Sequence, residues 1–325
     1  MSTLQMVTIA AFLALGVVAT LPAAAQSYPA RPIRFIVPSA PGGTPDINAR
    51  LLATELTRQM GQQIVVDNRP GAASSIGTEL IVRSAPDGYT IGYGTVPALA
   101  INQTLYPKLP HDPEKDLQKV AQLGYQPNLL AVAPLLPVKS VKELIAYAKS
   151  YPNKLSYGSS GNGTTLHLGM ELFKLMTGTQ MLHVPFKAAV IAITDLTAGR
   201  VQVMADNINS IGPHVKANRL RGLAVTSATR VPAFSNLPTV AEAGVPGFDV
   251  AAWAGVVVPA GVPKAIVTRL NTELNKALAA PAVADKLPDL GLQVVGGTPE
   301  AFSAHIRKET ARWADVVKRS GAKME

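Results

Sequence analysis

The chain has 325 residues, of which 47% are hydrophobic, 5% aromatic and 16% charged, and it contains no cysteine. This composition supports a packed core, and it excludes general disorder, disulfide scaffolds, iron–sulfur clusters, cysteine-ligated zinc and thiol nucleophiles. The formal net charge is +9, but no run of basic residues with interleaved aromatic residues occurs, so we expect no nucleic-acid partner.

The first thirty residues carry no charged side chain, and they include an apolar run from Val7 to Leu21. Pro22 and three small residues ending at Ala25 follow this run. The pattern predicts a signal peptide over residues 1–25, cleaved after Ala25, and export of the mature chain. The alternative is an uncleaved membrane anchor, but the run is shorter than the roughly 20 apolar residues that a spanning helix needs.

Strand and helix patterns then alternate along the chain. Ile33–Val37 is apolar and β-branched, and Pro45–Met60 carries apolar residues at helical spacing, with Thr44 as the expected helix cap. The further predicted strands are Ile64–Val66, Thr90–Gly94, Leu129–Val132, Leu155–Tyr157, Val201–Ala205, Leu220–Thr226 and Ala251–Val258, and the further helices lie near 74–84, 141–151, 165–176, 264–279 and 299–320. This alternation favours a mostly parallel sheet covered by helices.

Two Gly-rich loops stand out because each follows a predicted strand and opens a helix. They are Ser39–Asp46 (SAPGGTPD) and Tyr157–Thr165 (YGSSGNGTT). Glycine lets the backbone approach a ligand, and the unpaired N–H groups of a helix N-terminus attract anions. Ligands of open α/β sheets bind beyond the carboxyl ends of the strands, where such loops lie. The pair therefore predicts an anion site, although either loop alone is also compatible with an ordinary turn.

Two titratable residues in these loops have alternative interpretations. His167 falls in the first turn of its helix, where the helix N-terminus should keep it neutral and able to donate one hydrogen bond; the alternative is a plain surface histidine. Asp46 either accepts a hydrogen bond from a ligand or complements the helix dipole, and the sequence slightly favours the dipole role.

Motifs of catalysis are missing from the sequence. Asn162 stands where a nucleophile elbow around Ser160 needs glycine, and neither a Walker loop nor the Rossmann glycine spacing occurs. The five histidines form no i,i+4 pair. We therefore predict a binding protein that is not an enzyme and uses no metal or cofactor.

Five long segments carry a recognisable pattern. They are YPARPIRFIVPSAPGGTPDINARLLA from Tyr28, VVDNRPGAASSIGTELIVRSAPDGYTIGYGT from Val65, LYPKLPHDPEKDL from Leu105, LSYGSSGNGTTLHLGMELFKLMTG from Leu155 and LPTVAEAGVPGFDVAAWAGVVVPAGVP from Leu237. On these segments the chain resembles the extracytoplasmic solute receptors of tripartite tricarboxylate transporters, the Bug or TctC family.

The resemblance implies an α/β type II periplasmic-binding-protein fold, with two lobes joined by a hinge of crossing strands. Lobe 1 should comprise residues 27–125 plus 251–325, and lobe 2 residues 126–250. It also implies a periplasmic receptor that captures a small organic carboxylate and delivers it to transporter membrane subunits, and we expect a monomer. The alternative is a sensor subunit that reports a carboxylate to a signalling partner, because the same closed state serves both roles.

In the family, two loops hold the carboxylate partly through ordered water, and these loops match Pro41–Asp46 and Ser159–His167. Ser39, Ala73–Ser75 and Phe186–Ala188 depart from the common family pattern, so the ligand's identity is not transferred. The residues that the loops and the resemblance together assign to ligand binding are Pro41, Gly42, Gly43, Asp46, Ser74, Thr95, Ser159, Asn162, Gly163, Thr164, Thr165, His167 and Asp206.

Overall fold

The computed structural model describes residues 28–288 and 290–323, and the predicted signal segment lies outside the described residues. Within these ranges, none of the helices combines the length and the apolar character that crossing a membrane requires. The strands are β1 (Ile33–Val37), β2 (Ile64–Asn68), β3 (Thr90–Thr95), β4 (Leu117–Val132), β5 (Ser156–Ser159), β6 (Leu182–Pro185), β7 (Val203–Asn207), β8 (Arg221–Val225), β9 (Ala251–Pro259) and β10 (Gln293–Gly296). The α-helices are α1 (Thr44–Met60), α2 (Ser75–Val82), α3 (Asn102–Leu105), α4 (Val141–Ser150), α5 (Thr165–Thr177), α6 (Ala189–Thr197), α7 (Ile208–Lys216), α8 (Lys264–Ala279), α9 (Pro281–Ala284) and α10 (Pro299–Ser320).

Lobe 1 is built on a sheet with the strand order β2-β1-β3-β9-β4, and β10 also pairs with β4. The pairs β1–β2 and β1–β3 are parallel, whereas β3–β9 and β9–β4 are antiparallel. Successive residues of a strand point to opposite faces. In β1, Phe35 packs with α1 and α8 on one face and Ile36 joins the cluster on the other. Helices cover both faces, so the strand is apolar except at Arg34, which pairs with Asp67 of β2.

Lobe 2 repeats this arrangement around β4, β7, β5 and β6, with β8 on the other side of β4. The pairs β5–β6 and β5–β7 are parallel, and β4 pairs antiparallel with β7 and β8. Leu129 of β4 faces the cluster that contains α6 and α7, and Leu130 faces the cluster that contains α5. Both faces are therefore covered by helices in this lobe as well.

The two lobes are joined by strands that cross between them. Residues Leu117–Pro127 of β4 pair with β9 in lobe 1, and Asn128–Val132 pair with β7 in lobe 2. The chain returns beside this crossing, because Thr226 donates its N–H to the carbonyl of Asn128 (2.9 Å) and Val250 donates to Thr226 (2.8 Å). The prediction of a two-lobe α/β fold with crossing strands is confirmed.

The local predictions fail where polar residues interrupt a buried strand. We predicted a strand over Leu129–Val132, but β4 already begins at Leu117. Gln118, Lys119 and Gln122 break its apolar run, so the first part looks like a loop in the sequence. The sequence also gave no signal for β6, α6, α7 and β10, which are short or partly exposed.

Gly255 of β9 provides a test of this packing. A Cβ atom at this position would overlap the Phe302 ring of α10 and lie 2.7 Å from the carbonyl oxygen of Ala121. We expect Gly255→Ala to lower the free energy of unfolding by about 1–3 kcal/mol, measured by urea denaturation at unchanged m-value. Adding Phe302→Leu should recover part of this loss. An unchanged midpoint in the single variant would contradict the packing described.

Candidate functional site

The carboxyl ends of the parallel strands in both lobes meet at the middle of β4. In lobe 1, Thr95 ends β3 and pairs with Ala254, which pairs with Gly124 of β4. In lobe 2, Asn207 ends β7 and pairs with Asn128 of β4. The loops that follow these strands therefore border one region between the lobes, which we call the cleft. Open α/β sheets bind their ligands in this position.

The first predicted loop is held together by Asp46. Its Oδ2 accepts a hydrogen bond from the Gly42 N–H (2.8 Å), and its Oδ1 lies 2.9 Å from Nε of Arg50. Burial raises the pKa of the Asp46 carboxyl, but the Gly42 N–H, Arg50 and Asn68 outweigh this effect and bring the pKa below its ordinary value. Asp46 is thus ionised, and it fixes Gly42 in the left-handed conformation (φ +76°) that glycine tolerates.

The start of α1 differs from our prediction. Gly43 is the N-cap and Thr44 is the first helical residue, so the predicted cap by Thr44 is wrong. The Thr44 hydroxyl is engaged elsewhere, with Asn209 of lobe 2. Pro45 has no N–H, and within the described residues the N–H groups of Thr44 and Asp46 find no hydrogen-bond partner. They remain available to an anion.

Ser74 and Thr95 belong to a strained turn beside this loop. Oγ1 of Thr95 lies 3.0 Å from Oγ of Ser74. Ala72, Ala73 and Ser74 all have positive φ (+46°, +46° and +75°), a conformation that costs a non-glycine residue roughly 1–2 kcal/mol. The fully buried Asn102 side chain donates to the carbonyl of Ala73 (2.9 Å) and holds the turn. Backbone strain of this kind clusters at ligand sites.

The second predicted loop also uses many of its polar groups internally. Ser159 is fully buried, and its Oγ lies 2.7 Å from Nε2 of His183. Thr164 caps α5 by accepting from the His167 N–H (3.3 Å), and Gly163 donates its N–H to Nδ1 of His167 (3.1 Å). Asn162 is exposed at the tip of the loop.

The N-terminus of α5 keeps unpaired donors. Within the described residues, neither the side chain of Thr165 nor the N–H groups of Thr165 and Leu166 find a hydrogen-bond partner. Thr165 is 6% exposed. The helix end therefore offers two backbone donors and one hydroxyl at the edge of the cleft, together with the positive end of the helix dipole.

Behind this loop lies a stack of three rings, which includes a histidine that the sequence did not single out. The centroids of His167 and His183 are 4.0 Å apart, and those of His183 and Tyr157 are 4.8 Å apart. Burial, with a contribution from Lys174, lowers the pKa of His167 to about 4, and burial lowers that of His183 to about 3. His167 is 7% exposed, so the surface alternative is wrong.

Asp206 ends β7 as a fully buried carboxyl. Its Oδ1 accepts from the Asn207 N–H (2.7 Å), and Oδ2 has no hydrogen-bond partner within the described residues. Burial raises the pKa of Asp206 to about 7, and the Asn207 N–H opposes this shift only in part. Near neutral pH Asp206 is therefore partly protonated, whereas an exposed aspartate is ionised.

Two polar residues that the sequence analysis missed, Gln126 and Asn209, join Thr44 in a contact between the lobes at the cleft. Oγ1 of Thr44 lies 3.0 Å from Nδ2 of Asn209, and Nε2 of Gln126 donates to Oδ1 of Asn209 (3.4 Å). Thr44 and Asn209 are 165 positions apart in the sequence. No local sequence pattern predicts the Thr44–Asn209 contact, because it forms only when both lobes are folded and lie side by side.

The candidate site thus presents neutral donors rather than cations. The residues assigned to ligand binding include neither lysine nor arginine. Within the described ranges, no group of three or more histidine, aspartate or glutamate side chains is arranged to hold a metal ion. Helix N-termini, hydroxyl groups and a neutral imidazole are suited to binding a carboxylate through hydrogen bonds.

Comparison with known proteins shows that the chain matches one protein family and is similar to several solved structures. Residues 48–322 match the family described as the tripartite tricarboxylate transporter family receptor, TctC. The structure of R. palustris Rpa4515 with adipate has a TM-score of 0.86 and 41% identity, covering 91% of this chain and 100% of that chain. MatC from Rhodopseudomonas palustris with bound malate has a TM-score of 0.82 and 32% identity, covering 89% and 100%. Protein BugT of Bordetella pertussis is 38% identical over 305 residues, 94% of each chain.

The buried carboxyl predicts an unusual pH dependence of stability. The pKa of Asp206 is about 7 when folded and near 3.8 ordinarily, so the folded chain binds more protons between these values. The contribution of Asp206 to stability then falls as pH rises from about 4 to about 7, whereas the buried His167 and His183 act in the opposite direction, so the effect is read from the difference between variant and parent. We expect Asp206→Asn to gain a few kcal/mol over the parent in unfolding free energy at pH 8, and much less at pH 4. The exposed Asp285→Asn is the control, and equal pH slopes in all three proteins would contradict the assignment.

The ring stack makes a spectroscopic prediction. Nδ1 of His167 accepts a hydrogen bond from the Gly163 N–H, so the neutral ring carries its proton on Nε2. Because the pKa values of His167 and His183 are about 4 and about 3, their ring signals should not titrate between pH 8 and pH 5. Nitrogen-15 NMR of the labelled chain measures both the tautomer and the titration. A midpoint near 6.5 for either ring would refute the buried stack.

Proposed function

We propose that this chain, which belongs to the tripartite tricarboxylate transporter receptor family, captures a small organic carboxylate between its two lobes and delivers it to transporter membrane subunits. One observation carries the proposal: the N-termini of α1 and α5, one in each lobe, offer unpaired N–H groups at the cleft. The family is one of solute-binding receptors. We further propose that the chain acts without catalysis and without a cofactor.

In the proposed complex, each lobe supplies one set of donors to the anion. The N–H groups of Thr44 and Asp46 act from lobe 1, and those of Thr165 and Leu166 act from lobe 2. A hydrogen bond to a charged group contributes about 1.5–3 kcal/mol, and the helix dipole adds up to roughly 2 kcal/mol. Nε2–H of His167 supplies a further neutral donor, because Nδ1 is occupied by Gly163.

The side chains and backbone of the thirteen predicted residues divide into two roles in this proposal, apart from the Asp46 N–H already assigned to the ligand. Asp46, Ser159, Gly163 and Thr164 shape the loops through the hydrogen bonds that they make with neighbouring loop residues. The residues proposed to border the ligand are Pro41, Gly42, Gly43, Ser74, Thr95, Asn162, Thr165, His167 and Asp206.

The proposed mechanism is closure of the lobes about the crossing strands. A ligand that contacts both lobes favours the closed state by its differential affinity. We propose residues 27–125 plus 251–325 as lobe 1 and 126–250 as lobe 2. The strand register supports a boundary near this point, although the change of partner falls two residues later: Pro127 still pairs with Ala251 of β9, and Asn128 pairs with β7.

The proposed place of action is the periplasm, where receptors of this family work. We propose that residues 1–25 direct export and are removed after Ala25, and that the mature chain acts as a monomer. Mass spectrometry of the exported protein and its sedimentation velocity test these two points directly.

The ligand class is tested with the purified mature chain after ligand removal by unfolding and refolding. The panel contains adipate, malate, tricarboxylates, monocarboxylates, acidic amino acids and aromatic acids. A ligand at about 100 times its Kd adds roughly 2.7 kcal/mol to stability, which is a rise of a few degrees in Tm. Relatives solved with adipate and with malate make dicarboxylates the first to test. A folded protein that responds to no member of the panel would overturn the carboxylate proposal.

Thr165 gives the sharpest test of the site. Thr165→Asp places a negative charge at the N-terminus of α5, where it favours the helix but repels a carboxylate. We expect a loss of affinity on the order of 100-fold, measured by isothermal titration, in a variant that still unfolds cooperatively in a separate thermal scan. Thr165→Asn has nearly the same size without the charge, and it should lose less than about tenfold. Equal affinities for the two variants would remove α5 from the binding site.

A further inference from the structure

A polar bridge joins the lobes beside the first anion loop. Thr44 begins α1 of lobe 1, and Asn209 lies in the first turn of α7 of lobe 2. Their side chains are in hydrogen-bond contact, and Gln126 of β4 contacts the same Asn209 amide. We propose that Asn209 is a positioning residue of the binding site, which holds the Thr44 hydroxyl from across the cleft and so couples closure of the lobes to completion of the anion loop.

The direction of each hydrogen bond follows from the groups involved. Nε2 of Gln126 only donates, and it lies 3.4 Å from Oδ1 and 3.2 Å from the carbonyl oxygen of Leu290. The oxygen of the Asn209 amide is thereby assigned as the acceptor, so Nδ2 donates to Oγ1 of Thr44 at 3.0 Å. The hydroxyl of Thr44 then accepts from Nδ2, and because it also lies 3.1 Å from Oδ1, its own hydrogen has Oδ1 of Asn209 as an acceptor in the ligand-free protein.

This hydrogen adds a side-chain donor to the anion loop. Thr44 is 7% exposed, and its backbone N–H has no partner within the described residues. A buried hydroxyl needs an acceptor for its hydrogen. Oδ1 of Asn209 is that acceptor without a ligand, and a carboxylate at the N-terminus of α1 takes its place while Nδ2 of Asn209 continues to hold the hydroxyl.

The start of α7 lies between two parts of lobe 1. On one side is Thr44, and on the other is the segment around Gly291, where an added Cβ would lie 3.6 Å from Cβ of Ile208 and 3.8 Å from the Asn209 nitrogen. Thr44 follows β1, which is separated from the crossing strand β4 by β3 and β9. The Thr44–Asn209 bond nevertheless lies beside β4, because Gln126 contacts the same amide, and it joins α1 of lobe 1 to α7 of lobe 2. An opening movement that separates these two helices breaks it.

The bridge can be tested in the ligand-free protein, independently of the proposed function on which its role rests. The chain contains no cysteine, so Gln63→Cys and Lys149→Cys introduce the only two sites for spin labels. Both residues are exposed; Gln63 lies immediately before β2 of lobe 1, and Lys149 lies in the last turn of α4 in lobe 2. Electron–electron resonance then measures the distance between the lobes.

We expect Asn209→Ala and Thr44→Val each to shift the ligand-free distance distribution toward longer values. The double variant should shift it no further, because both changes remove the same hydrogen bond. Thr44→Ser keeps the hydroxyl and should restore the parent distribution. Ser210→Ala, on the same turn of α7, is the matched control and should leave the distribution unchanged. Parent-like distances in Asn209→Ala, or additive shifts in the double variant, would overturn the bridge.

A second measurement separates positioning from general structure. With adipate or malate as the probe, Asn209→Ala and Thr44→Val should each weaken binding about three- to tenfold, and Thr44→Ser should bind nearly as the parent does. If neither probe binds the parent, the proposed function fails on that ligand class while the distance measurement still decides on the bridge. Unchanged binding in Asn209→Ala with a shifted distance would overturn the positioning role of Asn209.

Discussion

The cleft depends on one strand that is hydrogen-bonded in both lobes. Up to Pro127, β4 pairs with β9, and from Asn128 onward it pairs with β7 and β8. In lobe 1, β3 runs in the same direction as β4, since each is antiparallel to β9. In lobe 2, β7 runs against β4. The strands of the two lobes therefore end opposite each other at the middle of β4. The loops and helix N-termini that follow these strands lie in the cleft between the lobes.

The loops at this place satisfy most of their polar groups by hydrogen bonds within the loops themselves. Asp46 takes the Gly42 N–H, His167 takes the Gly163 N–H, and Thr164 caps its own helix. Each of these bonds removes a donor from the ligand and fixes the backbone around those that remain. A preorganised site loses less conformational entropy on binding than a mobile one. The glycines of the loops thus supply the backbone conformation more than they supply free N–H groups.

Elements with strong start and stop signals were predictable from the sequence. Helices α1, α8 and α10 lie within one residue of their predicted bounds, because proline opens or precedes each and apolar spacing runs through it. The long first part of β4 was not predictable, since the polar Gln118 and Lys119 interrupt the apolar pattern of a buried strand. At the site, the two Gly-rich loops were visible as local motifs. Three further residues of the site were not visible in the sequence, because their roles depend on contacts between segments that are distant in the sequence. These are His183, Gln126 and Asn209.

Burial controls the charge around the cleft as much as it controls stability. Asp206 would oppose an anionic ligand if it were fully ionised, and its burial raises the pKa to about 7 and so reduces that opposition near neutral pH. The same effect keeps His167 neutral, as a donor without a positive charge. A site made of neutral donors holds an anion strongly only while water is excluded, because water competes for the same hydrogen bonds. In the proposed mechanism, opening the lobes restores that water to both ligand and donors, so release requires no change in the charge of the protein.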